Sequence, residues 1–201
     1  VPEYRLPRLR PTVRLGVSAV LLTVSLAASL RASATGQAAA VDPWIARTNS
    51  VSFQPQQAPD APVRVDLPKK DWMVLPASGS MLLVMASRKG DAVVLVEGAV
   101  LRQALEPADV TDVFAQIEID AIKQRQPKAA EFQARVLTLG ERRLVAIQYS
   151  RPGVLGAERV RQYSMPNGTQ LYRVSCISSA ALFSVYDAVF SHMAASLTAS
   201  P

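Results

Sequence analysis

Cys176 and His192 are the only cysteine and the only histidine in the 201-residue chain. A thiol beside an imidazole can form a nucleophile–base pair, and these two fall on consecutive elements, a strand and then a helix. Their surroundings argue against that chemistry. A reactive thiol needs an accessible, electropositive setting, whereas Cys176 alternates with Tyr172 and Val174 in an apolar strand pattern. His192 borders the apolar stripe of an amphipathic helix, next to Met193. Both read as packing residues, so no catalytic residue is assigned.

Metal and phosphate chemistry find less support. One histidine and one thiol cannot complete a tetrahedral zinc site without carboxylates. Asp66 with Asp71, or Asp109 with Asp112, could gather a hard cation, but their spacing is not that of a calcium loop. Helix capping accounts for the second pair. Gly153-Val154-Leu155-Gly156 lacks the Lys, the Ser/Thr and the helix start of a phosphate loop. It reads as part of a long strand-to-strand loop, Arg151 to Gly156. No cofactor is implied.

Five arginines fall on adjacent strands: Arg142, Arg143, Arg151, Arg159 and Arg161. Arg159 and Arg161 share one strand face, with Tyr163 beyond them. With Arg143 opposite, Arg143, Arg159, Arg161 and Tyr163 would make a basic patch for a partner. Acidic headgroups, peptidoglycan acids or a protein would suit it. The competing reading is a charged, solvated sheet edge that resists aggregation.

The first forty residues are an address label. Arg5, Arg8, Arg10 and Arg14 precede an uncharged run, Leu15 to Leu30, and a small-residue exit follows through Ala32-Ser33-Ala34 and Ala38-Ala39-Ala40. That order defines a secretory signal peptide. The run is 16 residues, short of the roughly 20 a spanning helix needs; an uncleaved anchor is the alternative. Cleavage fits after Ala34 or after Ala40, and Ala40 is preferred because Asp42-Pro43 opens a polar stretch. No arginine pair precedes the run, so the unfolded-chain export route is the default. No lipid-attachment cysteine follows it.

Export reshapes the charge argument. The chain has 22 Lys+Arg against 16 Asp+Glu, a net +6. Residues 1–40 hold five arginines and Glu3, which leaves 17 against 15, or +2, for the rest. A nucleic-acid partner therefore gains no support from charge. The membrane is met only transiently, through the signal segment.

The remaining roughly 160 residues suit one domain. Residues 41–62 read as a flexible linker, because Pro55, Pro59 and Pro62 interrupt a run with little apolar surface. Trp44 is the exception. The domain, 63–201, opens with the alternating strand Val63–Leu67 and continues through Trp72–Leu75. Met81–Ala86 and Ala92–Val96 form a hairpin without polar alternation, which asks for cover on both faces. Asp109 caps a helix with Val110, Val113, Phe114, Ile117, Ala121 and Ile122 on its buried stripe, and Pro127 ends it. Lys123, Arg125 and Lys128 suit its carboxyl end. Strands follow at Phe132–Thr138, Arg142–Ser150, Glu158–Met165 and Thr169–Ile177. The last two are joined by a Pro166-Asn167-Gly168 hairpin turn. Ser178 or Ser179 caps a second helix whose stripe is Leu182, Val185, Tyr186, Val189, Phe190, Met193 and Leu197. The class is α+β: a mostly antiparallel sheet flanked by two main helices.

That order resembles the PsbP/Mog1-like superfamily. The carrying residues are Gly168-Thr169-Gln170-Leu171-Tyr172-Arg173-Val174-Ser175-Cys176, then Phe183, Tyr186, Phe190 and Ser196-Leu197. Leu67-Pro68-Lys69-Lys70-Asp71-Trp72 is similar to the superfamily's early strand–turn–Trp. The resemblance covers roughly Val63 to Leu197 and implies an α/β/α sandwich. Its members bind proteins or assist assemblies: a photosystem subunit, a nuclear GTPase partner and exported bacterial proteins. It implies no shared catalytic residues. A cystatin-like curved sheet is the alternative fold, but it usually places a long helix first, and here at least three strands come before any helix.

The expected function is an exported, non-catalytic interaction or assembly-accessory domain for an unidentified envelope protein. The alternative is a periplasmic carrier of a small apolar ligand or lipid, motivated by the Val, Leu and Met excess of Met81–Val96. A hydrolase or redox enzyme using Cys176 and His192 ranks last.

Overall fold

The apolar runs set the sheet. β3 (Trp72–Leu75), β4 (Met81–Ser87) and β5 (Ala92–Leu105) form an antiparallel meander, and the expected β4–β5 hairpin is present. β6 (Ala130–Leu139), β7 (Arg142–Gly153) and β8 (Gly156–Ser179) complete a sheet of order β3-β4-β5-β8-β7-β6. The computed structural model describes residues 41–59 and 61–199; the expected signal peptide, 1–40, lies outside them.

β8 is too long to run straight. Its 24 residues would extend roughly 80 Å, against a radius of gyration of about 15 Å for a chain this size. It folds back on itself. The Ala180 N–H donates to the Ala157 carbonyl at 2.7 Å, and Ser164 meets Arg173 on one carboxylate. Both contacts give the same register and centre the turn on Gly168-Thr169. Gly168 carries the positive φ, 60°, as the first residue of a hairpin turn that matches strand twist. The first arm of β8 pairs with β7 and the second with β5.

Alternation then sorts the core onto two faces. On one lie Val94, Val96, Ala146, Tyr163, Val174 and Cys176, under α2 (Phe183–Ser196). On the other lie Val145, Ile147, Tyr149, Val160 and Leu171, under α1 (Asp112–Arg125). The result is the expected α/β/α sandwich.

Several boundaries differ from expectation. α1 begins at Asp112 after Thr111; Asp109 instead ends a 3-10 turn, Pro107–Asp109, and accepts the Glu106 N–H. Val113 and Ile117, expected inside, are exposed, and Glu118 is buried in their place. α2 starts at Phe183, because Ser178 and Ser179 stay in β8. Leu182 and Val185 at its start are exposed. The expected long loop at 151–156 is a tight hairpin, with Gly153 directly opposite Gly156.

The largest correction concerns 41–62. This segment is a packed arm and no tether. Asp42 caps the 3-10 turn Pro43–Ile45, its Oδ1 accepting the Trp44 N–H at 2.8 Å. Trp44 and Ile45 are buried. β1 (Phe53–Gln57) pairs antiparallel with β2 (Val63–Pro68), and β9 (Thr198–Ala199) lies on the other side of β2. This small sheet packs on α2, whose second half is therefore buried nearly all round. Prolines exclude a helix here, but they do not exclude an edge strand. Residues from Val41 on form one compact unit.

Candidate functional site

Cys176 and His192 do not form a dyad. Cys176 is fully buried, and burial pushes its thiol pKa well up, away from the reactive thiolate. His192 faces elsewhere. Its ring stacks on Phe53 at 3.6 Å, and its Nδ1 accepts the Thr48 N–H at 3.2 Å. The proton therefore sits on Nε2, which faces Asp66 Oδ2 at 3.4 Å. Asp66 is thus engaged by the histidine that holds the arm.

The expected patch of Arg143, Arg159, Arg161 and Tyr163 does not assemble. β7 and β8 pair Ser150 with Arg159, Gln148 with Arg161 and Ala146 with Tyr163. Arg143 differs in parity from those partners, so it lies on the opposite face of the sheet. It is also seven residues along β7 from Ser150, roughly 23 Å away.

Arg161 and Tyr163 face inward. Arg161, 3% exposed, donates to Gln148 Oε1 at 2.8 Å and to Asp187 Oδ1 at 2.6 Å. Its guanidinium lies 4.5 Å from the Trp44 ring centre, and Arg135 covers the same ring at 4.4 Å. The Tyr163 hydroxyl donates to the Trp44 carbonyl at 2.6 Å, and burial raises its pKa strongly. Arginine, tyrosine and tryptophan together clamp the arm. Arg159 remains at the surface, 3.6 Å from Glu131.

A second buried charge lies under α1. Glu118, 3% exposed, accepts two bonds from Arg173 at 2.8 Å, one from Ser164 at 2.7 Å and one from Gln162 at 3.2 Å. Burial alone would raise its pKa; the Arg173 bonds and charge outweigh that and hold it below the usual value. Every partner favours the carboxylate, so the cluster is a structural tie and offers no proton to transfer.

The arrangement best suited to meet a partner lies at the carboxyl end of α1. An open cleft of about 370 Å³ runs between Gln126–Ala129 and Arg151–Pro152. Pro127, Ala129 and Pro152 give it apolar walls. Lys123 lies 5.4 Å from the Phe132 ring centre, and Phe132 stacks on Tyr149 at 5.5 Å. Burial raises the Tyr149 pKa, opposed by the nearby Arg151 and Arg125 charges. Lys123, Arg125 and Arg151 thus lie near one aromatic pair, and Lys128 and Arg151 line the cleft beside it.

Glu158 neutralises Arg151 at 2.8 Å and accepts the Leu155 N–H at 3.1 Å. Its carboxylate folds over Gly153, where any side chain would collide with it. Lys123, Arg125 and Lys128 make no ion pair with a described carboxylate. Sequence reasoning used these three only as complements to the helix dipole. Their position beside Pro127, facing the next strand, was the available signal that they also form a surface.

A mostly antiparallel sheet with one helix on each face, the last helix held under a short outer sheet, defines an α/β/α sandwich. The particular fold is PsbP/Mog1-like. The chain is similar to cyanobacterial PsbP (CyanoP) from Synechocystis, with a TM-score of 0.56 and 14% identity over 75% of this chain and 94% of that one. It is also similar to the Ran-binding protein Mog1p of Saccharomyces cerevisiae, with a TM-score of 0.53 and 7% identity over 74% and 96%. No family model matches the chain, and no curated protein matches it. Among the described residues, no helix is long and apolar enough to cross a membrane.

Proposed function

We propose that the protein is an exported, non-catalytic accessory domain that docks an acidic segment of an envelope protein in the cleft at the end of α1. The observation that carries this reading is the cleft itself. Lys128 and Arg151 line an open groove with apolar walls, and Lys123 and Arg125, which like Lys128 pair with no carboxylate among the described residues, stand on the adjoining last turn of α1. An acidic segment would neutralise the lysines and Arg125, and its apolar side chains would rest on Pro127 and Pro152. The Ran-binding protein Mog1p has this fold, which supports its use in protein recognition. The basic, small-residue-terminated label at 1–40 supports export.

The carrier reading gains no specific support. Both described cavities lie at the protein surface with charged residues in their walls, and the space between sheet and helices is filled by side chains.

Co-purification from the native envelope tests the proposal. The wild-type chain should retain one protein that a Lys123→Glu/Lys128→Glu variant loses, with retention falling as salt rises. Retention of the same protein by both chains would remove the cleft from the account.

A further inference from the structure

A second cluster of cations lies at the other end of β7. Arg142 Nη1 donates to the Leu197 carbonyl at 2.6 Å and lies 3.5 Å from the Met165 sulfur. Neither partner carries a formal negative charge. Burial, and then the nearby Arg47 cation, lower its pKa from the usual guanidinium value. Arg47 itself reaches the Ala195 carbonyl at 3.5 Å. Arg143, the next residue, is half-buried and makes no hydrogen bond or ion pair with a described residue.

Arg142 and Arg143 both line a partly enclosed cavity of about 150 Å³ off the end of the sheet. Leu105, Pro107 and Met165 form apolar walls, and Glu106, which is exposed, pairs with neither arginine. The β5–β8 register slips between Val100 and Leu105, which sets Leu105 opposite Gly168. Such irregularities commonly re-aim the chain around a site.

A partly buried cation without a counter-ion is costly, and among the described residues neither arginine has one. We propose that this cavity binds a small organic carboxylate, its head held by the Arg143 guanidinium in the field of the neighbouring Arg142 and its short carbon chain against Leu105, Pro107 and Met165. Planar guanidiniums match a carboxylate in two-point geometry. The volume equals about five waters' share of liquid, enough for an acid of a few carbons. The shared chemistry has two sources: a free acid, or the carboxyl terminus of a peptide.

Titration of the full chain, followed by NMR of the arginine side-chain N–H signals, tests this. The probes are propionate, propionamide, inorganic phosphate, and a tripeptide with its terminus free or amidated. Saturable binding of propionate or the free tripeptide is expected, with the tighter of the two identifying the source. Arg143→Ala should weaken it about tenfold or more, with an unchanged melting midpoint, and Arg143→Lys should fall between. Three results would overturn the proposal: equal binding of acid and amide, tighter binding of phosphate than of either carboxylate, or unchanged affinity in Arg143→Ala.

Discussion

The two faces of the sheet handle charge differently. Under α2, Arg161 lies inside, but its carboxylate partner, Asp187, is 43% exposed in its side chain. Under α1, Glu118 and Arg173 are 4% and 12% exposed, and the carboxylate also serves Ser164 and Gln162. The first pair clamps an arm from outside, and water still reaches one partner. The second is sealed within the sandwich, and its loss strands several polar groups. The face with the better-sealed interior keeps the more open exterior: beyond α1 lie the exposed Val113 and Ile117 and the basic cleft.

The sharpest break in this comparison is Glu118→Ala. It leaves Arg173 without its bidentate partner and takes an acceptor from Ser164 and Gln162, so the expected loss is about 3–5 kcal/mol, read by urea denaturation. Its pH signature follows from the lowered pKa. The folded carboxyl binds its proton less readily than the unfolded one, so protonation favours unfolding. The stabilisation is present above the unfolded-state value and disappears as pH falls through the depressed folded value. Glu118→Gln should therefore flatten the acid limb of the stability profile. An unchanged limb would place the acid sensitivity elsewhere.

Trp44→Ala tests the other face. Loss of a buried ring between two guanidiniums should cost about 3 kcal/mol and raise hydrogen exchange across the small sheet. Arg161→Met should cost less than Arg161→Ala, because Asp187 is free to face water and an apolar chain can still pack on Trp44. Equal losses would mean that the pairing matters more than the stack. A stability unchanged by Trp44→Ala would mean that the arm is a tether after all.

The smallest effects belong to the open exterior. Val113→Ser and Ile117→Ser should shift the melting free energy by no more than about 0.5 kcal/mol. The same substitutions at Val110 or Ile122, which are buried, should be far more costly. Comparable losses at all four would contradict the orientation of α1.

Local signals in the sequence read well. The β4–β5 hairpin, the turn at Gly168 and the existence of both helices follow from apolar runs and punctuation over a few residues. What escaped depends on partners distant in the chain. Trp44 is held by Tyr163 and Arg161, and Glu118 by Arg173, across separations that periodicity does not report. The misplaced arginine patch has a single physical source. Reading 151–156 as a long loop hid the tight Gly153–Gly156 turn, and that turn fixes the β7–β8 register. With it known, alternation alone separates Arg143 from Arg159 and Arg161. Lys123, Arg125 and Lys128 were visible as a group, but their closeness to Arg151 and Tyr149 came only with the fold.

Site-specific photocrosslinking in the living envelope tests the central claim most directly. A photoreactive residue at Ala129 or Lys128, which line the cleft, is compared with one at Val185, which is exposed on α2. The account predicts one defined protein adduct from the cleft positions, lost in the Lys123→Glu background, and none from Val185. The same adduct from Val185 and not from the cleft would contradict it and place recognition on the α2 face.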